Sequence, residues 1–315
     1  MPLNDEACFV FIHQGGTPPS HIVDAISQCR AFNNAAIYFV TEARNAASLS
    51  FPTELKVQIV ELESLPPSQK RTEFINTPWL ERSFRHGFWT YTTERFFVLE
   101  SLMETRGLRD VIHLENDVLI YFNSGTMLPA LRSLQSGIGA TFDTDDRCIP
   151  GIIYFRDTNA FSNLTTFILD HFRTANQHSL NDMMLLGAFR RSDTGIERMD
   201  PLPIVPVGYT PLKNLLGVES AEPDMYSRNF NKFGGVFDGA AIGQFLAGID
   251  PRNSNNQDTR GFINESSMFN PSSFEYILAP GFRGIPIPYM RKEDTVCPVF
   301  NLHIHSKNLA AYSWR

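Results

Sequence analysis

The chain has 315 residues, of which 43% are hydrophobic and 19% are charged, a composition typical of a globular protein rather than a disordered one. This length is at or just beyond the roughly 250–300 residues at which a single hydrophobic core stops growing, so one large domain or two closely joined halves is expected. The formal net charge of −7 disfavours nucleic acid as a partner, because a negative surface repels the phosphate backbone.

The N-terminal sequence and the cysteines favour an intracellular protein. The chain opens with Met-Pro-Leu-Asn-Asp-Glu, which has acidic residues where a secretory signal would be basic. No run approaches the roughly 18 apolar residues needed to cross a bilayer, so no transmembrane segment is predicted. The four cysteines are far apart and lack zinc-site spacing, and we interpret them as reduced thiols of a cytoplasmic protein.

In the first half of the sequence, short apolar runs alternate with helical periodicity. The predicted strands are 8–12, 35–40, 57–60 and 111–121, and the predicted helices are 20–32, one beginning at Thr77-Pro78, and one ending at Gly107. Strands that alternate with helices predict βαβ units and a mostly parallel sheet. Such sheets bind ligands beyond the carboxyl ends of their strands, so the loops that follow the first two strands are expected to face a ligand.

The second half continues the alternation without a linker that would separate independent domains. Its predicted elements are strands at 138–142 and 151–155, helices at 164–173, 180–189 and 238–247, and long loops at 201–211 and 250–274. The sequence therefore predicts a single α/β domain over 1–315, with a mostly parallel, Rossmann-like central sheet flanked by helices.

Two carboxylates interrupt the apolar run 111–121. Glu115 and Asp117 are two residues apart, so their side chains point to the same side of an extended chain. Two converging buried carboxylates repel each other unless a positive charge lies between them. Mg²⁺ or Mn²⁺ fits this role, since hard cations bind one or two carboxylates and complete their shell with substrate phosphates. The alternative is a strand end with solvated acidic groups.

A second cluster of polar residues lies near the C-terminus. His303 and His305 are expected to share one side of an extended segment, and Lys307 continues that line. Imidazole can complete the coordination shell of Mn²⁺, and a lysine ammonium is suited to phosphate. The alternative is an exposed edge strand with polar side chains.

Together, the two motifs resemble those of GT-A glycosyltransferases. Glu115-Asn116-Asp117 is similar to the DxD-type signature of that family, with glutamate in place of the first aspartate. The C-terminal histidines and lysine resemble its metal-ligating histidine and phosphate-binding basic residue. The resemblance implies that Asp117 is a direct metal ligand together with His305 and His303, and that Glu115 contacts ribose or a bound water, with Asn116 also on the donor side.

The same resemblance assigns further residues to the nucleotide donor. His13 and Gly15 follow the first strand where the nucleotide would lie, and Thr41 and Glu42 end the second strand where the family contacts base or ribose. Arg95 lies on a helix from which a basic residue faces the nucleotide. For each of these residues a structural role is the alternative: a turn-forming glycine, a loop cap or a surface arginine. The segment 145–154 is similar to the strand that lines the donor-sugar pocket.

Two later aspartates are candidates for a carboxylate at the reaction centre. Asp182 follows Ser179 in a capping-box pattern, and the resemblance implies a carboxylate near this place that approaches the sugar or the acceptor. Asp238 is expected to be the N-cap of a helix rich in small residues. Because small residues let the backbone approach closely, Asp238 could also act as the base for an acceptor hydroxyl.

The resemblance implies transfer of a sugar from a nucleotide diphosphate donor, expected to be a UDP-sugar, to a saccharide hydroxyl, with Mn²⁺ or Mg²⁺ as cofactor. A nucleotide-binding half, 1–122, and an acceptor-binding half, 123–315, are expected. Two alternatives stay open: a nucleotidyltransferase that makes the nucleotide sugar, and a non-catalytic saccharide-binding protein. The loop 13–18 lacks the basic residues usual in the nucleotidyltransferases.

Overall fold

The computed structural model describes residues 7–77, 80, 84–174, 181–191, 197–209, 213–255 and 257–314. The strands are β1 Cys8–Ile12, β2 Ile37–Thr41, β3 Val57–Glu61, β4 Val111–Leu114, β5 Val118–Ile120, β6 Ile138–Thr144, β7 Arg147–Phe155, β8 Asp200–Pro201, β9 Glu275–Pro280, β10 Pro286–Lys292, β11 Thr295–Pro298 and β12 Asn301–His303. The α-helices are α1 Ile22–Phe32, α2 Ala43–Ala46, α3 Gln69–Asn76, α4 Phe88–Arg106, α5 Ser124–Arg132, α6 Thr158–Thr174, α7 Asp182–Arg190, α8 Phe230–Phe233, α9 Ala241–Ala247 and α10 Pro251–Ser254.

A seven-stranded sheet with the order β3-β2-β1-β4-β7-β6-β8 forms the centre of the fold. Strands β3, β2, β1 and β4 are parallel, β7 is antiparallel to both β4 and β6, and β8 is parallel to β6. Strands β1, β2 and β4 are buried along their whole length, which is why each reads as an unbroken apolar run. The predicted α/β class with a mostly parallel central sheet flanked by helices is confirmed.

Thr77 ends a helix, and residues 78–79 and 81–83, where the helix predicted to begin at Thr77 would start, lie outside the described residues. Thr77 is the C-cap of α3, with an extended backbone (φ −108°, ψ 130°). In the sequence it precedes a proline, which disfavours the helical conformation in the preceding residue. The predicted end of the following helix is confirmed, since α4 stops at Gly107, whose φ of 61° is left-handed.

The predicted continuous strand 111–121 is wrong, because the segment forms two separate strands, β4 and β5. Strand β4 belongs to the central sheet, whereas β5 pairs antiparallel with β12 in a separate two-stranded sheet. Between them the chain turns, and the backbone N–H of Val118 donates to the carbonyl of Glu115 at 3.2 Å. Glu115 and Asp117 therefore meet in a turn rather than along an extended strand.

The C-terminal part of the chain departs most from the predicted elements. A three-stranded antiparallel sheet, β11-β10-β9, was not predicted. Its strands contain several prolines, which carry no strand signal because proline cannot donate to a ladder. Helix α10 lies inside the predicted loop 250–274, and α9 begins at Ala241 rather than at Asp238.

Buried apolar residues from both faces of the central sheet belong to one continuous core. All four cysteines are buried in the structure and unpaired, as predicted for reduced thiols. In the part of the chain that the structure describes, no helix is both long enough and apolar enough to span a membrane.

Candidate active site

The loops that follow the parallel strands meet at the carboxyl edge of the sheet. The backbone N–H of Gly15, after β1, donates to Glu42 Oε1, after β2, at 2.7 Å. Asn116 Nδ2, in the turn after β4, lies 3.3 Å from His13 Nδ1. Thr41 is fully buried behind this edge, 3.4 Å from Glu42, and does not face outward. The structure thus brings together four of the predicted donor residues and places Thr41 beneath them.

Gly15 is needed where the loop after β1 crosses α4. Its φ of 88° lies in the left-handed region, and a Cβ atom there would lie 2.8 Å from Cε2 of Tyr91. The close approach fixes this loop against the first turns of α4. The same helix carries Arg95 into the site.

Glu115, Asp117 and His303 converge into one group of possible metal ligands. Their ligand atoms all lie within 4.8 Å of one another. His303 Nε2 is 3.2 Å from Glu115 Oε2 and 3.2 Å from Asp117 Oδ1. The group forms because β12 pairs with β5, and because the N–H of Ile304 donates to the backbone carbonyl of Asp117 at 2.8 Å.

The group lies at the centre of six side chains whose charges alternate in sign, which we call the charge chain. In order these are Asp182, Arg95, Glu115, His303, Asp117 and Lys307. Arg95 bonds Asp182 Oδ2 at 2.6 Å through one nitrogen and Glu115 Oε1 at 2.5 Å through another. Lys307 Nζ bonds Asp117 Oδ2. Sequence reasoning named all six residues but did not predict the ion pairs that join them.

The charge chain sets the protonation of its members. Burial alone would raise the pKa of Glu115, but Arg95 and His303 outweigh it and hold that pKa well below its usual range. Burial is outweighed in the same way at Asp117, by Lys307 and His303. Burial lowers the pKa of His303, yet the two carboxylates outweigh that effect and raise it to about 10. Without a metal ion, His303 is therefore a cation shared by two anions.

The two carboxylates that share Arg95 have pKa values shifted in opposite directions. Burial raises the pKa of Asp182, and Arg95 opposes this only in part. The side chain of Asp182 is 4% exposed and that of Glu115 is 22% exposed. Glu115 also has His303 as a second cationic neighbour, which explains the difference. Burial lowers the pKa of Arg95, but the two carboxylates outweigh it and raise that pKa.

These residues fit a hard divalent cation. Two carboxylates and one imidazole are a donor set that Mn²⁺ and Mg²⁺ accept. Buried polar atoms without a hydrogen-bond partner are rare, and several belong to residues of this region. Among the described residues they include His303 Nδ1, His305 Nε2, Asn116 Oδ1, Gln14 Oε1, Ser306 Oγ and Gln244 Oε1. A bound ion, ligand or water would give these atoms partners, which is consistent with the fit of the residues to a cation.

His305 lies beside the group but outside it. The segment after β12 is a turn rather than the predicted extended strand, so His303 and His305 do not simply line up. Their ring centroids are 4.2 Å apart, and His305 Nδ1 lies 2.9 Å from Gln244 Nε2. Burial, then the charge of His303, lowers the pKa of His305 to about 3. His303, and not His305, thus lies within the group, and Glu115 is another of its members.

Gly151, which sequence reasoning did not single out, makes room for His303. It lies in β7, within the segment similar to a donor-sugar strand, and its carbonyl accepts the N–H of Glu115 at 3.0 Å. A Cβ atom at this position would lie 2.7 Å from His303 Nδ1 and 3.3 Å from Val118 Cγ2. A glycine inside a strand is a signal of such a close approach.

Gly151→Ala is expected to displace the His303 ring and weaken Mn²⁺ binding about tenfold, with a stability cost of about 1–3 kcal/mol from overpacking. Calorimetric titration with Mn²⁺ and urea denaturation measure the two effects. The matched control is Gly139→Ala in β6, where the new Cβ would lie 2.6 Å from Leu134 Cδ1 and its three nearest atoms all belong to leucine side chains. Equal Mn²⁺ affinity in the two variants would contradict the assigned role of Gly151.

Asp238 is buried and its carboxylate is fully engaged. It accepts the backbone N–H groups of Ile242 at 2.9 Å, Gly243 at 2.8 Å and His303 at 2.9 Å. Asp238 is therefore not the N-cap residue of α9, a position held by Ala240, but it still accepts the first free N–H groups of that helix. Burial raises its pKa, and the backbone donors oppose that shift. In this position Asp238 ties the start of α9 to β12.

Asp238→Asn is expected to lower the free energy of unfolding by about 1.5–3 kcal/mol, because an amide NH₂ group faces a backbone donor that the carboxylate accepted. Urea denaturation checks this. Asp258→Asn is the control, since Asp258 pairs with Arg260 on the surface. An unchanged stability with lost transfer would instead assign Asp238 to the reaction, as the sequence predicted.

No protein-family model and no curated protein matches the sequence. Solved structures similar to the chain include mouse xyloside xylosyltransferase 1 in its apo form, with a TM-score of 0.42 and 12% identity over 62% of this chain and 85% of that one. The PaToxG glycosyltransferase has a TM-score of 0.39 and 10% identity, and the match covers 58% of this chain and 68% of that one. A cytidylyltransferase from Leptospira borgpetersenii serovar Hardjo-bovis has a TM-score of 0.38 and 7% identity over 62% and 75%. At this level of similarity, nothing about substrate or mechanism follows from these structures.

Proposed function

We propose that this protein is a metal-dependent glycosyltransferase that moves a sugar from a nucleotide diphosphate donor, with UDP as the expected nucleotide, to a saccharide hydroxyl. The observation that supports the proposal best is the convergence of Glu115, Asp117 and His303. They meet at the carboxyl edge of a parallel sheet, which is where open α/β sheets bind nucleotides.

In this proposal Glu115, Asp117 and His303 hold Mn²⁺ or Mg²⁺. A bound divalent ion would stabilise the negative charge that grows on the departing diphosphate. Lys307, on the accessible side of Asp117, is the residue that would contact that diphosphate directly. Arg95 has both of its carboxylate partners inside the protein and holds Glu115 in place rather than touching the donor.

The donor nucleoside is proposed to bind along the loops after β1 and β2. Glu42 is held by the Gly15 N–H, and its two oxygens are acceptors of the kind that ribose hydroxyls use. His13 and Asn116 lie next to each other between this loop and the metal ligands. The path from base to diphosphate therefore runs from Glu42 through His13 to Asp117.

The two aspartates predicted for the reaction centre are proposed as positioning residues. Asp182 is paired with Arg95, and Asp238 accepts the N–H of His303. Asp182 thereby holds the arginine that contacts Glu115, and Asp238 holds His303, a member of the metal group itself. The proposed transfer does not depend on either of them as a base, which suits a retaining reaction.

The proposal is tested with the purified protein and a panel of nucleotide sugars, with and without Mn²⁺. A donor at about 100 times its dissociation constant should stabilise the protein by roughly 2.7 kcal/mol in thermal-shift measurements, and only when Mn²⁺ is present. A transferase also releases nucleoside diphosphate slowly from the donor. Release of pyrophosphate from a nucleoside triphosphate would identify a nucleotidyltransferase, and binding of saccharide without any release would identify a binding protein.

A further inference from the structure

Lys307 pairs with one of the two oxygens that Asp117 could offer to a metal ion. Asp117 uses Oδ1 toward His303 and Oδ2 toward Lys307, so both carboxylate oxygens have a cationic partner without any metal. The side chain of Asp117 is 10% exposed, whereas that of Lys307 is 32% exposed. The lysine is therefore the more accessible member of the pair.

The backbone, and not only the flexible side chain, brings this lysine to the carboxylate. The N–H of Ile304 donates to the carbonyl of Asp117 at 2.8 Å, and the N–H of Lys307 donates to the carbonyl of Ile304 at 3.0 Å. Lys307 itself has a φ of 64°, in the left-handed region that non-glycine residues seldom adopt. A turn anchored on Asp117 thus presents the ammonium group to Asp117.

The two fixed cations of the charge chain differ in how easily they can move. Arg95 is buried and bridges two carboxylates, so its departure would leave Glu115 paired with His303 and Asp182 without a cation among the described residues. Among the described residues Lys307 has one carboxylate partner, and its flexible stem reaches the protein surface. Of the two, Lys307 is the cation that can leave when another positive charge approaches Asp117.

We propose that Lys307 is a resident cation that competes with the divalent metal for Asp117 and is drawn away by a bound diphosphate. Metal alone must displace the lysine, whereas metal bound together with a diphosphate gives the lysine a new anionic partner. Metal and diphosphate therefore strengthen each other's binding, and by linkage the effect is reciprocal. This inference rests on the proposed function for the metal and the diphosphate.

The test is a calorimetric titration of Mn²⁺ into the nucleotide-free protein, comparing wild type with Lys307→Met. Methionine nearly matches the unbranched stem of lysine but has no charge. Mn²⁺ is expected to bind about tenfold more tightly to Lys307→Met, while UDP at saturating Mn²⁺ binds about tenfold more weakly, within the usual range of coupling between sites. Lys307→Gln is a second neutral variant if the methionine variant does not fold.

Arg252→Met is the matched control for loss of a nearby positive charge. Arg252 is close enough to Asp117 for its pKa to respond to that carboxylate, but it is paired with Asp250 and its side chain is 58% exposed. At physiological salt its removal should change the Mn²⁺ affinity by no more than about twofold. If Arg252→Met binds Mn²⁺ as tightly as Lys307→Met does, removal of any nearby positive charge has the same effect. That result would overturn the proposed competition between Lys307 and the metal.

The outcome separates this inference from the proposed function. Unchanged or weaker Mn²⁺ binding in a folded Lys307→Met protein overturns the inference. If Asp117→Asn still binds Mn²⁺ as wild type does, the metal site itself is wrong, and the proposed function loses its main support. Tighter binding in both neutral Lys307 variants, lost when Asp117→Asn is added, supports both.

Discussion

Asp117→Asn is expected to abolish metal-dependent nucleotide binding and to reduce transfer by about 10²–10³-fold or more, while the protein stays folded. The amide removes the negative charge that faces both His303 and Lys307. It also supplies only one oxygen, where the carboxylate supplies two. Because Lys307 is partly exposed, its loss of a partner costs little stability. Turnover, and UDP binding with and without Mn²⁺, are the measurements.

The matched control for this variant is Asp143→Asn. Asp143, in β6, is a buried carboxylate that forms an ion pair with Arg147. Among the described residues it forms no ion pair with a member of the charge chain. Asp143→Asn should cost stability but leave Mn²⁺-dependent UDP binding unchanged. Near-normal turnover in a folded Asp117→Asn protein would remove Asp117 from the proposed metal site.

Local patterns predicted most of the central sheet. Residues adjacent in sequence determine the apolar runs of β1 and β2 and the end of α4 at Gly107, whose backbone is left-handed. A single sequence is therefore enough to find them. The pair of Glu115 and Asp117 could also be found, because acidic residues inside an apolar run conflict with burial. The predicted reason was wrong, since the chain turns between them.

The partners in the site could not be predicted in the same way. His303 is 188 residues after Glu115, and their contact depends on the pairing of β12 with β5, which no local periodicity encodes. The pairing of Arg95 with Asp182 likewise requires α4 and α7 to pack against each other. A turn after β12 made His303, and not the equally plausible His305, the third member of the group.

Arg95→Met is expected to lower the free energy of unfolding by about 3–5 kcal/mol at pH 7, because the buried Asp182 loses its cation and the partly buried Glu115 loses one of its two cationic neighbours. Asp182 has no other cation within bonding distance among the described residues, and burial already raises its pKa. In the variant, Glu115 also loses the neighbour that most strongly lowers its pKa. The unpaired Asp182 lowers the stability, and the change at Glu115 affects both the stability and the metal group.

The loss of stability in Arg95→Met should become smaller as the pH is lowered. Loss of Arg95 further raises the pKa of Asp182, which burial already raises, and also raises the pKa of Glu115, so the folded variant binds more protons than the folded wild type. The stability of the variant relative to wild type therefore falls as pH rises through the pKa values of these two groups. The difference from wild type is smaller at pH 5 than at pH 7. Urea denaturation at both pH values measures this.

Arg71→Met is the control for Arg95→Met, because Arg71 forms a similarly buried ion pair at 2.9 Å with Glu94, which lies on α4 next to Arg95. Among the described residues, Arg71 has one carboxylate partner where Arg95 has two. Arg71→Met should cost less stability and leave Mn²⁺ binding intact, whereas Arg95→Met should weaken Mn²⁺ binding because Glu115 is no longer held. If both variants bind Mn²⁺ equally well, Arg95 stabilises the fold alone and Glu115 does not need it to face the metal.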